Sequence, residues 1–218
     1  MSLPITQKQA YTVAEWIKSN FRSAIDKAVK GTPFSTDILC GIACQETAYF
    51  WLPLLKRLSA KEVLARCVLD ANGDYPGTKR SAFPRNTAAF RNQYGDEFAD
   101  MLISEANKTR KLRGFGPQQW VYKGYGLFQY DLQSVKTDEA FFRERKWYEF
   151  DECLDRVMKE LAGKYMAQKD VWKAVQAYNG SGAGAARYVN NVVQSARIPA
   201  RSREQAKRSA VESESAFD

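Results

Sequence analysis

Apolar residues recur every three or four positions along several stretches of the chain, which is the spacing that places them on one face of a helix. In the first stretch the recurring apolar positions are Val13, Ile17, Phe21, Ile25 and Val29. Thr6 with Gln9 forms a capping-box pattern at its start, and Gly31 suits its end. The sequence therefore predicts a first helix between Thr6 and Gly31.

The second stretch, Phe34 to Trp51, predicts a helix with a carboxylate on its apolar face. Ser35 or Thr36 can cap this helix, because a short hydroxyl side chain accepts a hydrogen bond from the first turn. The apolar positions are Ile38, Leu39, Ile42 and Ala43. Glu46 follows Ile42 by four residues and therefore falls on the same face. Two interpretations stay open: a Glu at the edge that reaches solvent, or a general acid in a cleft, kept protonated by apolar surroundings.

The rest of the chain predicts further helices and two loops. Further helices are expected over five stretches. One runs from the Ser59–Glu62 capping box to Val68, and one runs from Phe90 to Arg110 with a break at Gly95 and a new cap at Asp96. The others cover Phe150 to Tyr165, the residues after the cap Asp170, and Tyr188 to Ala196. Gly, Pro and Asn predict a loop after Asp70. We therefore expect a mainly α fold, with helical lobes around a groove and at most a small sheet near Trp120 to Tyr130.

Composition limits the chemistry. The 218 residues include no histidine, which excludes a Ser-His-Asp or Cys-His centre and leaves carboxylates and tyrosines for acid–base work. The formal charge of +8 predicts attraction to polyanions such as nucleic acid, anionic lipid or bacterial cell wall.

Metal sites are not predicted. Cys40 and Cys44 are one helical turn apart, but two thiols need further ligands to bind zinc, and we expect all four cysteines to be buried structural thiols. Asp70, Asn72 and Asp74 imitate the start of a calcium loop. The turn glycine and closing Glu of such a loop are replaced by Tyr75 and Ser81. No cofactor is expected.

Three separated segments resemble the lysozyme-like superfamily, and within it the goose-type lysozymes and soluble lytic transglycosylases. They are IACQET with Glu46, GYGLFQYD at 124–131, and AVQAYNGSGAGAARYVNNV at 174–192. The family shows, in the same order, a helix ending in Glu-Ser, then Gly-Leu-Met-Gln, then Ala-Tyr-Asn with glycines and a Tyr-x-Asn-x-Val helix. Thr47 replaces the usual Ser, and Phe128 replaces the usual Met.

The resemblance implies an α+β lysozyme-like fold and a peptidoglycan muramidase that breaks the β-1,4 bond between N-acetylmuramic acid and N-acetylglucosamine. It makes Glu46 the general acid, Asp131 a partner carboxylate and Tyr178 a hydrogen-bond partner of Glu46. The implied substrate-binding residues are Thr47, Tyr125, Gly126, Leu127, Gln129, Asn179 and Tyr188. Gln129 and Asn179 can instead satisfy loop backbone, and Tyr178 can be a core residue.

Roughly eighty residues separate Glu46 from Gly126, where the family commonly has far fewer. We therefore expect one catalytic domain over 1–196 with an insertion at about 53–113, and a polar tail over 197–218. The insertion leaves Asp70 and Asp74 open as alternatives to Asp131. A second carboxylate would activate water and give hydrolysis, whereas attack by the muramic acid's own hydroxyl would give an anhydro product.

Two rival functions stay open: an inactive lysozyme-like glycan-binding protein, and a basic helical protein that binds nucleic acid. The N-terminus has no basic segment followed by an apolar one, so we expect synthesis in the cytoplasm without a signal peptide. No apolar run reaches the roughly 20 residues of a membrane span. Action on the cell wall would then need delivery, as for an endolysin or a secreted effector. Glycan strands, an immunity or inhibitor protein and a delivery apparatus are the expected partners, and nucleic acid is not.

Overall fold

The computed structural model describes residues 4–196 and shows a mainly helical chain with a small antiparallel sheet, which confirms the predicted fold class. The helices are α1 Gln7–Val29, α2 Thr36–Ala43, α3 Tyr49–Trp51, α4 Ala60–Arg66, α5 Thr87–Tyr94, α6 Asp96–Leu112, α7 Glu139–Arg143, α8 Phe150–Gln168, α9 Val171–Tyr178 and α10 at 182–196. Short 3₁₀ turns cover Leu52–Leu54, Leu132–Lys136 and Lys146–Tyr148. The predicted tail, 197–218, lies outside the described residues.

Local capping signals account for four of the predicted helix starts. Thr6 and Ser59 each form a complete capping box, with Gln9 and Glu62 as the returning side chains. Ser35 accepts from the Ile38 N–H at the start of α2, and Asp170 accepts from the Lys173 N–H at the start of α9. These bonds satisfy first-turn N–H groups that have no partner inside the helix. The starts predicted from these four caps are therefore confirmed.

The chain forms two compact units. One consists of residues 4–49 and 158–196 within the described range, and the other of residues 50–157. The 50–157 unit includes the segment 53–113 that we expected as an insertion, and it continues through the glycine-rich segment at 124–131. Within residues 4–196, no helix is both long enough and apolar enough to cross a membrane.

The 4–49/158–196 unit is built on α1 and α2. Buried residues of α1 recur at Ala10, Val13, Ala14 and Ile17, and every residue of α2 from Ile38 to Ala43 is buried. The two helices pack against each other. Burial of this apolar area is the main favourable contribution to folding.

The 50–157 unit contains the sheet, in the order β1-β2-β3. The strands are β1 Val68–Ala71, β2 Tyr122–Tyr125 and β3 Tyr130–Asp131, and both pairings are antiparallel. Val68 pairs with Tyr125, and Gly124 pairs with Asp131. Aromatic rings form much of this core, including Phe90, Phe98, Phe141, Phe142 and Trp147.

Two local predictions were wrong. The helix after Ser59 ends at Arg66, and Val68 begins a strand because its backbone pairs with β2, far away in sequence. The break at Gly95 is present, but Gly95 itself takes the cap position, and Asp96 is the first helical residue. Asp96 instead pairs with Arg91 of the preceding helix.

Candidate active site

Glu46 lies in a π-helical turn that interrupts the second helix. The turn covers Cys44–Ala48, between α2 and α3. A π turn adds one residue to the helical repeat, and such turns occur often at functional sites. The α-helical spacing that placed Glu46 with Leu39 and Ile42 therefore does not hold here. Glu46 is half-buried, whereas Cys44, Thr47 and Ala48 of the same turn are buried.

Tyr188 of α10 interacts with Glu46. The buried Tyr188 hydroxyl has no hydrogen bond of standard geometry within residues 4–196. Burial raises the pKa of Tyr188 well above its ordinary value, and the nearby charge of Glu46 and the Tyr178 phenol raise it further. Tyr188 therefore remains protonated at neutral pH, and its hydroxyl can donate to the carboxyl of Glu46. The charge of Glu160 in α8 also raises the pKa of Tyr188. Glu160 is thus a second carboxylate near this group, and the sequence did not single it out.

Tyr178 lies beside Tyr188 at the end of α9. Their ring centroids are 6.5 Å apart and the rings are tilted by 34°. The structure thus brings Glu46, Tyr178 and Tyr188 into one group within the 4–49/158–196 unit. Thr47, also in the π turn, is buried, and Asn179 is an exposed residue at the C-terminal cap of α9. The predicted hydrogen bond between Tyr178 and Glu46 stays a prediction.

The segment at 124–131 forms a tight hairpin in the other unit. Gln129 folds back over it, and its Nε2 donates to the carbonyl oxygens of Gly126 at 2.9 Å and Cys67 at 3.2 Å. A side chain at Gly124 would occupy the position of the Gln129 amide. Gly126 has φ 78°, and a β-carbon there would lie 2.5 Å from the Cys153 sulfur. Gly126 is therefore required by the hairpin, whereas a side chain at Gly124 would displace the Gln129 amide.

The side chains between these glycines and Gln129 point into the core. Leu127 and Phe128 are buried, and Tyr125 is buried between the rings of Trp147 and Phe142, at 4.9 and 5.2 Å. Burial raises the pKa of Tyr125 well above its usual value, with smaller contributions from the charges of Glu105 and Asp131. These contacts give the hairpin residues a structural role, and their predicted contact with substrate stays a prediction.

Each carboxylate that we considered as a second catalytic group has a local partner in the 50–157 unit. Asp131 is held by a two-pronged ion pair, in which Arg80 Nη1 and Nη2 lie 3.1 and 2.5 Å from its oxygens. Asp131 also accepts from the Gln133 N–H at 2.8 Å. Asp74 accepts from the backbone and hydroxyl of Thr87, both at 2.8 Å. Asp70 pairs with Lys123 at 3.5 Å.

The cysteines are free, buried thiols, as predicted. Burial raises the pKa of the Cys153 thiol to about 12, and that of Cys44 is raised for the same reason. In the described part of the chain, no group of three or more Cys, Asp or Glu residues is placed to hold a metal ion.

Comparison with models of known protein families, with curated proteins and with solved structures found no match. The class of this site is therefore defined by its geometry: a half-buried carboxyl in a π turn, next to two tyrosines and without histidine.

Proposed function

We propose that the protein is a muramidase that cleaves the β-1,4 glycosidic bonds of peptidoglycan, with Glu46 as the general acid. The observation that carries the proposal is the group formed by Glu46, Tyr188 and Tyr178. A general acid needs a defined position and a partly water-excluded setting. The π turn and the buried Tyr188 hydroxyl supply both.

In this mechanism the Glu46 carboxyl protonates the glycosidic oxygen as the bond to C1 of N-acetylmuramic acid breaks. The resulting oxocarbenium-like sugar is then attacked by an oxygen nucleophile. The Tyr188 hydroxyl donates to the Glu46 carboxylate left after proton transfer and keeps it in place. Glu46 then accepts the proton of the attacking hydroxyl, so the same group serves as acid and base.

We further propose that the nucleophile is the muramic acid's own 6-hydroxyl, which makes the reaction a lytic transglycosylation with an anhydro product. Hydrolysis would need a second carboxylate that is free to activate water. Asp131, Asp74 and Asp70 are each engaged with a local partner, which argues against that role. Glu160 is the carboxylate to test next, because its charge reaches Tyr188.

The proposed substrate lies outside the cytoplasmic membrane, so we place the site of action at the cell wall. The experiment is digestion of purified peptidoglycan with wild-type protein and Glu46→Gln, followed by mass spectrometry of the fragments. Anhydro-muramic ends are expected from the wild type only. Reducing ends that disappear in Glu160→Gln would indicate hydrolysis. Binding without any fragments would indicate a glycan-binding protein.

A further inference from the structure

A cleft of about 630 Å³ in the 50–157 unit is rich in positive charge. It is lined by residues from α4, from the segment before it and from the last turns of α6. Four of its side chains are cationic, namely Arg57, Arg66, Lys108 and Lys111, and one is acidic, Glu62. The Glu62 carboxylate is already used in the helix cap, where it accepts from the N–H and hydroxyl of Ser59, both at 2.7 Å. The cationic side chains therefore outnumber the carboxylates of the cleft.

The Arg66 side chain of this cleft is held in position by hydrogen bonds. Its Nη2 donates to Glu105 Oε2 and to the Tyr148 hydroxyl, both at 2.9 Å. Glu105 is only 1% exposed and also binds Lys108 Nζ at 2.7 Å. Burial and the hydrogen bond to Glu105 raise the pKa of Tyr148 to about 12, so Tyr148 stays a neutral donor. Two of the four cations are thus held in place before any ligand binds, which reduces the ordering cost of binding.

One guanidinium nitrogen of Arg66 has no hydrogen-bond partner among residues 4–196. Its Nη1 is buried and makes no hydrogen bond to any residue in the range 4–196. Buried polar atoms are nearly always hydrogen-bonded, so an exception calls for an explanation. Nη2 is already used by Glu105 and Tyr148, so Nη1 is the nitrogen left to donate to a ligand, and a carboxylate oxygen is a strong acceptor for a guanidinium donor.

A second cleft, of about 720 Å³, shares Lys108 and Lys111 with the first. It adds the exposed amide of Gln119 and the ring of Phe115, which is 50% exposed. Aromatic faces and amides suit sugar rings and peptide groups. The two clefts together therefore offer anion-binding groups as well as an apolar and polar surface.

We propose that the cationic cleft binds the carboxylates of the peptidoglycan stem peptide. The inference rests on the proposed function for the identity of the macromolecule, because peptidoglycan joins a glycan to an acidic peptide. The cleft belongs to the 50–157 unit, whereas the residues of the Glu46 group belong to the 4–49/158–196 unit. It would make substrate choice depend on the peptide as well as on the sugars.

The test uses full-length Glu46→Gln protein, so that cleavage cannot remove the ligand. A purified disaccharide-tetrapeptide is titrated by calorimetry into this protein and into versions that also carry Lys111→Glu or Lys8→Glu. Lys111 is exposed, lines both clefts and has no ion-pair partner within residues 4–196. Lys8 is exposed in the first turn of α1, where a Glu is favourable. Lys8→Glu therefore makes the same change in net charge as Lys111→Glu at a residue that does not line the cleft.

Lys111→Glu is expected to weaken binding of the disaccharide-tetrapeptide by about tenfold or more, since a hydrogen bond to a charged group contributes about 1.5–3 kcal/mol. Lys8→Glu should leave the affinity unchanged, as should both variants for di-N-acetylchitobiose, a neutral disaccharide that has no carboxylate. Equal affinity of Lys111→Glu and its parent for the peptide ligand would overturn the proposal. So would a phosphodiester wall polymer or duplex DNA that binds more tightly and shows the Lys111 dependence instead. Binding is read without cleavage, so a wild-type protein that forms no fragments would refute only the muramidase proposal.

Discussion

A β-carbon placed on Gly41 of α2 would lie 2.8 Å from the carbonyl oxygen of Val192 in α10 and 3.1 Å from its Cγ1. Only glycine allows the two helices to approach this closely. Glu46 lies five residues after Gly41, and Tyr188 lies four residues before Val192. The contact between Gly41 and Val192 therefore joins the two helical segments that carry the Glu46 carboxyl and the Tyr188 hydroxyl.

Gly41→Ala should destabilise the protein and slow cleavage, because the added methyl group would push α10 away from α2. Overpacking of this kind costs about 1–3 kcal/mol, measured by urea unfolding. Gly163→Ala is the matched control, since Gly163 lies within α8 and a β-carbon there meets nothing within 4 Å. It should stabilise the protein by about 0.5–1 kcal/mol. Equal stability of Gly41→Ala and wild type would contradict the close crossing.

Glu46→Gln should remove cleavage while the fold stays intact. The amide keeps the shape of the carboxyl but cannot deliver a proton to the leaving oxygen, and general acid catalysis contributes about 10²–10⁴-fold. Fragment release from peptidoglycan measures the loss, and circular dichroism checks the fold. Glu15→Gln, at an exposed position of α1, should behave as wild type. A Glu46→Gln protein with a near wild-type cleavage rate would contradict the proposed role of Glu46 as the general acid.

Tyr188→Phe should lower the cleavage rate by less than Glu46→Gln does, about tenfold, because it removes the hydroxyl proposed to donate to the acid and not the acid itself. The pH dependence of the rate should also change, since the hydroxyl no longer supports the Glu46 carboxylate. A purely structural role for Tyr188 would instead lower stability and leave the pH profile in place. Tyr178→Phe gives the comparison for the neighbouring hydroxyl.

Asp131→Asn should cost stability more than activity. The amide keeps an acceptor for the Gln133 N–H but loses the charge that pairs with Arg80, a partly buried guanidinium. We expect a loss of about 1–3 kcal/mol in the free energy of unfolding. A double-mutant cycle with Arg80→Ala isolates the pair. If Asp131→Asn instead removed cleavage as completely as Glu46→Gln, the anhydro-forming route would be rejected in favour of hydrolysis.

Glu105→Gln should destabilise the 50–157 unit, because Arg66 would lose its buried counter-charge. The expected loss is about 3 kcal/mol, at the lower end for a broken buried pair, since Lys108 and Arg145 are partly exposed. Glu149→Gln, which breaks an exposed pair with Lys61, should cost under about 1 kcal/mol.

The pH dependence gives a second test of Glu105. Burial alone would raise its pKa, but hydrogen bonds from Lys108 and Tyr148 and the charge of Arg66 outweigh burial, so the pKa is lowered from 4.5. A lowered pKa means that the unfolded chain binds a proton first as the pH falls. The stabilisation is therefore complete above about pH 4.5 and is lost below it. The stability gap between wild type and Glu105→Gln should narrow over that acid range.

Local features could be predicted from the sequence because their partners lie within four residues. The caps at Thr6, Ser59 and Asp170 and the break at Gly95 are of this kind. Taken together, these local signals are enough to predict a mainly helical fold.

Features that depend on distant partners could not be predicted. The strand state of Val68 requires β2, which comes more than fifty residues later. Arg80 and Asp131 are 51 residues apart, and Arg66 and Glu105 are 39 apart. The π turn at Cys44–Ala48 has no periodic signature of its own, so Glu46 could be singled out but its surroundings could not. The family resemblance of the three separated segments made Tyr188 a candidate site residue. Only the structure showed that Tyr188 interacts with Glu46.

The buried thiols give the molecule two separate chemical reporters of its own opening. Cys40 and Cys44 belong to the 4–49/158–196 unit, whereas Cys67 and Cys153 belong to the 50–157 unit. A thiol reacts with an alkylating reagent only as an exposed thiolate, so each pair is labelled only when its own unit opens. A label on Cys153 could not return beneath Gly126, where the sulfur already fills the available space. Alkylation kinetics followed by peptide mapping would therefore record which unit opens first, in the unmodified wild-type sequence.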